Sequence, residues 1–273
     1  MTVDASHNST IRELERLGYR APLALICQDG VTGAAVTDGL VATAWPAADT
    51  TRVFTAARSP LSGILGFGRL PLPFDASHAM VPAGEPITWP AITPEPYTAM
   101  VQDTAGRYLP AVVSVTVPVS TPVVVPLSSS PARHAPSGFA TVKGEVHENG
   151  TGNALAWSLV RIDTGVAAYN TVADERGRFL LHLPYPEALP PLLGSPPSGP
   201  GLSAVAWPLT VTVRSEPGAL VQLGPTATAP PELGSVIAQG AAQLVDGGGS
   251  HASIAATLAF GTPLVLALTA VPA

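Results

Sequence analysis

Proline and glycine decide what this chain can become. Thirty prolines and 26 glycines exceed a fifth of the 273 residues, and they stand between apolar runs instead of forming a low-complexity tract. Proline removes a backbone donor and breaks helices and central strands, whereas glycine supplies the positive φ that tight turns need. Many short strands joined by defined turns is the economical solution. Asp29-Gly30, Thr32-Gly33, Asp38-Gly39, Ser62-Gly63, Asn149-Gly150 and Thr151-Gly152 punctuate runs such as LALICQ, LVATAW and ALAWSLVRI. These dipeptides favour tight turns.

The expected class is all-β, with two tandem immunoglobulin/transthyretin-like β-sandwiches over residues 20–127 and 137–273 and one short N-terminal helix. Residues 128–136, rich in Pro and Ser, read as a semi-rigid linker. Residues 1–19 read as a tail followed by that helix. Thr10 and Glu13 stand in capping-box spacing, Ile11, Leu14 and Leu17 share a face, and Gly18 can end it. Residues 75–96 and 187–203 form Pro-rich excursions. From Ala252 to Ala273 the chain carries no charge and approaches the length of a membrane span. Gly261, Thr262 and Pro263 interrupt it, so its halves, SIAATLAF and PLVLALTAV, read as buried strands.

The two halves echo each other. Asp103, Gly106, Arg107 and Tyr108 match Asp174, Gly177, Arg178 and Phe179 as D-x-x-G-R-aromatic-L. The aspartate caps a turn, the glycine takes the positive-φ position, and the aromatic returns to the core on the next strand.

Composition narrows function. Charged residues make up 12% of the chain, about half the usual ~25%, and Lys143 is the single lysine beside twelve arginines. Charge depletion with arginine retained suits a repeatedly contacted subunit; Ala-, Pro- and Arg-rich usage from a GC-rich genome produces the same numbers. A net charge of −6 without a basic cluster argues against nucleic acid. A single cysteine, Cys27, leaves neither an internal disulfide nor a cysteine zinc site. The polar N-terminus carries no secretory signal, which implies a cytoplasmic protein.

Catalytic chemistry finds no carrier. There is no G-x-S-x-G elbow, and Ser250-His251 sits in a glycine run that reads as a loop tip. Cys27 lies in an apolar strand pattern, where a thiol is a small core residue. The six histidines are scattered; His182 is expected to face solvent and His147-Glu148 to flank a turn. Asp29, Asp38, Asp103, Asp163 and Asp174 each lie within three residues of a glycine, so turn capping accounts for them, with a calcium-binding loop end as the alternative. The expectation is no catalytic residue, no cofactor and no metal ligand. Trp45, Trp89 and Trp207, each before a proline, and Leu264 and Leu266 in the apolar tail are the candidate interface residues. A carbohydrate-binding face made of tryptophans is the alternative use.

Residues 139–186 resemble a carboxypeptidase regulatory-like domain, a small transthyretin (prealbumin)-like sandwich. The likeness rests on Val142, Gly144 and Val146, the Thr151-Gly152 turn, Ala156 to Val160, and Thr171, Asp174, Gly177, Phe179, Leu181 and Pro184. It implies an accessory interaction module without peptidase chemistry. The wider order of segments resembles a structural accessory protein of phage-tail-like contractile injection systems. Its elements are Asp29 to Leu40, Ser59 to Gly63, Val101 to Ala111, Ala173 to Arg178 and Leu258 to Leu266. That resemblance implies cytoplasmic assembly into a particle, with sheath, tube, cap or baseplate proteins as partners and no membrane insertion.

Overall fold

The computed structural model describes residues 21–71, 93–186, 205–224 and 229–273. The N-terminal helix and Trp89 lie outside them, as does most of both Pro-rich excursions. The described chain is all-β, with four sheets around two apolar cores.

The first half supplies β1 (Leu23–Asp29), β2 (Leu40–Pro46), β3 (Phe54–Thr55), β4 (Ala57–Arg58), β5 (Leu65–Phe67), β6 (Glu95–Asp103), β7 (Ala111–Val117) and β8 (Val123–Leu127). One sheet runs β4-β5-β1-β8, with β1 and β8 parallel, and the other runs β3-β2-β6-β7. Strict alternation sends Leu23, Leu25 and Cys27 of β1 inward to meet Leu40, Ala42, Ala44, Tyr97, Ala99 and Val101 of the facing sheet. Period-two burial of this kind is what a half-buried strand requires.

The second half supplies β9 (Phe139–Glu148), β10 (Leu159–Asp163), β11 (Ala168–Val172), β12 (Arg178–Pro184), β13 (Ala206–Arg214), β14 (Gln243–Asp246), β15 (Gly249–His251), β16 (Ile254–Ala259) and β17 (Leu264–Val271). Here β11-β10-β13-β16 faces β12-β9-β17-β14-β15, with β17 parallel to β9. Gly144 of β9 is indispensable to that pairing. A side chain there would run into the Leu266 carbonyl and sit 3.0 Å from the Phe179 ring, which occupies the space instead.

The tail therefore forms strands, and no helix among the described residues is long and apolar enough to cross a membrane. Between β13 and β14 the chain makes an excursion containing a 3-10 turn (Pro217–Ala219) and a helix, α1 (Leu233–Ala238). This excursion lies on the outer face of the first half's β3-β2-β6-β7 sheet. Val112 bridges to Glu232, and Val236 joins Leu109, Leu159 and Val172 in a third apolar cluster spanning both halves.

Candidate interaction surfaces

Both D-x-x-G-R segments fold into the same turn. In the first, Asp103 Oδ2 accepts from the Arg107 N–H at 2.6 Å and from Arg107 Nε at 3.0 Å, while Gly106 turns with φ 67°. In the second, Asp174 Oδ1 accepts from the Arg178 N–H at 2.9 Å, Oδ2 accepts from Nη2 at 2.7 Å, and Gly177 has φ 75°. Tyr108 and Phe179 then enter their respective cores. Burial pushes the Asp103 carboxyl up, but the Arg107 side chain and the turn N–H groups outweigh it and hold the carboxyl below its ordinary value. The charged side chains of both turns are thereby paired with groups of this chain.

A polar junction fastens the segment between the halves to the first half. Asp29, at the end of β1, is 5% exposed. Its Oδ1 accepts from the N–H groups of Val31 and Thr32, both at 3.0 Å, and its Oδ2 accepts from Tyr108 Oη at 3.0 Å and Arg133 Nη1 at 2.6 Å. Burial raises the Asp29 carboxyl, yet the Thr32 N–H, Arg133 and the Val31 N–H together bring it below the ordinary range. Burial, then the Asp29 charge, pushes the Tyr108 phenol up to about 12. The segment expected as a linker is thus fastened down: Leu109 N–H donates to Ser128 O and Ser130 N–H to Arg107 O.

His182 differs from the expectation. It does alternate with the core positions of β12, but it is buried. Its Nδ1 lies 3.2 Å from Thr141 Oγ1 and its Nε2 3.3 Å from the Arg133 carbonyl. The fastened segment covers the face that would otherwise meet solvent. Burial lowers the imidazole pKa.

Among the described residues the tryptophans do not form a platform. Trp45 is 1% exposed, points away from the first core, and donates from Nε1 to the Leu223 carbonyl at 3.2 Å, beneath the β13–β14 excursion. Trp207 belongs to the second core and packs against Tyr185, with ring centroids 5.1 Å apart and planes tilted by 39°. Trp157 has φ 59°, an uncommon conformation for a bulky residue. Its ring packs in the seam cluster, and its carbonyl accepts from Gln239 Nε2 at 2.9 Å. Neither Trp45 nor Trp207 is available to another molecule, so both depart from the interface expectation. Leu264 and Leu266 are half-buried against the second core, and it is Val265 and Val271, alternating with them, that stand exposed.

A broad groove of about 1020 Å³ crosses the outer face of the first sheet, floored by Ala24, Ala57 and Gly66. The charged side chains that line it among the described residues are Arg58 and Arg69. Among the described residues no three His, Cys, Asp or Glu side chains gather as metal ligands. Cys27 is buried, and burial pushes its thiol up to about 11.

No protein-family model and no curated protein matches the chain. Among solved structures, the Bacillus anthracis TIE protein aligns with 92% of this chain at 13% identity and TM-score 0.27. The alignment covers 34% of that protein, so the chain spans about a third of its length. GBS52, the minor pilin of Streptococcus agalactiae, aligns over 92% of this chain and 96% of its own at 9% identity and TM-score 0.22. The shaft pilin SpaA from Lactobacillus rhamnosus GG aligns over 92% and 97% at 10% identity and TM-score 0.24.

Proposed function

We propose that this chain is a non-enzymatic structural or adaptor subunit, two tandem sandwiches acting through protein–protein contacts within a phage-tail-like contractile injection particle. The observation that carries the subunit reading is the uncharged C-terminal face. After Asp246 no Asp, Glu, Lys or Arg follows, and Val265 and Val271 of β17 stand 66% and 42% exposed beside exposed Ala267. An apolar strand surface of this kind marks a contact site or an aggregation liability. The particle itself rests on the sequence resemblance. Sheath, tube, cap or baseplate proteins are the partners that reading implies. The alternative, a carbohydrate-binding face made of tryptophans, is weakened at two of its side chains, because Trp45 and Trp207 are buried.

Gentle affinity isolation of the full chain from its own cells, followed by native mass analysis, tests this. Large particles with sheath and tube proteins at fixed stoichiometry support it. Recovery without any such company overturns it and makes a glycan-binding screen the next step.

A further inference from the structure

Sheets protect their edges with short strands, prolines, charges or covering segments, because an open edge is a template for another strand. Most of the described edges of this protein follow that rule. β3 and β4 have two residues each and β15 has three. β8 contains Pro126, and β7 is bracketed by Pro110 and Pro118 and bridged by Glu232. β12 begins at Arg178 and ends at Pro184. β11, five residues that likewise carry no charge and no proline, turns Thr171 Oγ1 onto the Leu180 carbonyl of β12. Among these described edges, β16 alone has six residues with no charge and no proline.

Its backbone is also presented for pairing. The Phe260 N–H donates to the Val205 carbonyl at 2.9 Å, and Leu258 and Ala256 follow opposite Trp207 and Leu209. Antiparallel bonding alternates along a strand, so Ala255 and Thr257 point both main-chain groups away from β13, and Ala259 points its N–H away. None of these five groups has a hydrogen-bond partner among the described residues. Ala255 and Thr257 are exposed, while Ile254, Ala256 and Leu258 face the core.

We propose that β16 is a self-association edge, through which two copies of the chain pair antiparallel about a two-fold axis at Thr257. Residues directly opposite in an antiparallel pair share a face. Centring on Thr257 sets Thr257 against Thr257 and Ala255 against Ala259 outside, with Ala256 against Leu258 inside. A slip of one residue would oppose exposed and core-facing positions. With no charge on the strand, nothing repels at the axis, and a Thr–Thr pair is favourable there. The occupant is a second β16 because the opposite edge, β11, is a different surface. Joining β16 to β11 would be heterologous and would run on into a fibre, whereas β16 to β16 closes. This goes beyond the particle reading, since the edge is available with or without one.

Sedimentation analysis of the full chain over a concentration series tests it. The expected result is a monomer-to-dimer transition that stops at the dimer. Thr257→Pro is compatible with the fold because the lost N–H points outward. It and Thr257→Lys should weaken dimerisation on the order of tenfold or more without changing the circular dichroism or melting of the monomer. Thr257→Cys should give a covalent dimer under mild oxidation, the native thiol being buried. A monomer at every concentration, growth past the dimer, or a dimer insensitive to Thr257→Lys and not captured by Thr257→Cys overturns the proposal. None of those results bears on co-purification with a particle, so the two readings fail separately.

Discussion

Arg133 donates to Asp29 at 2.6 Å across 104 positions of sequence, and its guanidinium lies 4.4 Å from the centre of the Tyr108 ring. One side chain therefore fastens the segment between the halves to the end of β1. Removing one partner of a buried pair is costly because it leaves the other charge uncompensated. Arg133→Met should lower stability by about 3 kcal/mol, read by urea unfolding at neutral pH. A loss below about 1 kcal/mol would reduce the contact to a surface ion pair. The Asp29 carboxyl is held below its ordinary value in the folded protein. Its contribution is thus fully present above the unfolded value of about 3.9 and fades as pH falls through the lower folded value.

His182 gives a second pH response at a different place. Its pKa is lowered by burial in the folded state, so the unfolded chain binds the proton more readily. The linked stability is complete above the unfolded value of about 6.5 and is lost progressively as pH drops below it through the folded value. Thermal melts between neutral and mildly acidic pH should show the wild type losing stability over that range. His182→Gln should flatten the slope there while leaving the steeper acid arm in place. Identical slopes in the two proteins would mean that His182 does not titrate against the fold.

The two repeat turns should differ in their tolerance of a methyl group. Both Gly106 and Gly177 have positive φ, but a Cβ on Gly106 meets open space, whereas one on Gly177 would lie 2.6 Å from the Val146 carbonyl. Gly106→Ala should therefore cost only the left-handed conformation, about 1 kcal/mol. Gly177→Ala adds a backbone clash and should cost on the order of 3 kcal/mol. Equal denaturation midpoints for the two variants would contradict this difference in crowding.

These turns were readable from sequence because Asp, Gly and an aromatic at fixed offsets specify local geometry without help from the rest of the chain. Strand alternation in LALICQD and AWPLTVTVR was readable for the same reason: each pattern needs only its own sheet. What sequence missed was long-range. Nothing in the string LLHLP reveals that the Arg133 segment will cover His182, and Trp45-Pro46 looks like a strand end until the described part of the β13–β14 excursion is seen above it. The exposure of Val265 instead of Leu264 and Leu266 depends on which face of β17 turns toward the second core, a register that composition does not encode.

The excursion between β13 and β14 supplies the last prediction. Trp45 is covered by it, and its Nε1–H bond to Leu223 joins positions 178 residues apart. Trp45→Phe keeps most of the apolar contact and removes one hydrogen bond, leaving the Leu223 carbonyl to find water. A loss of about 1 kcal/mol is expected. Trp45→Ala also empties a large buried volume and should lose about 3–5 kcal/mol. Because the ring sits outside the first core, the loss should be local as well as global. Hydrogen exchange should quicken at Glu232, whose N–H donates to the Val221 carbonyl within the excursion, and along α1 in Trp45→Ala, while β9 and β17, which pair with each other in the second half, keep their relative protection. Uniform quickening across both halves would show that the excursion is not a separable cap, and that the two halves unfold as one unit.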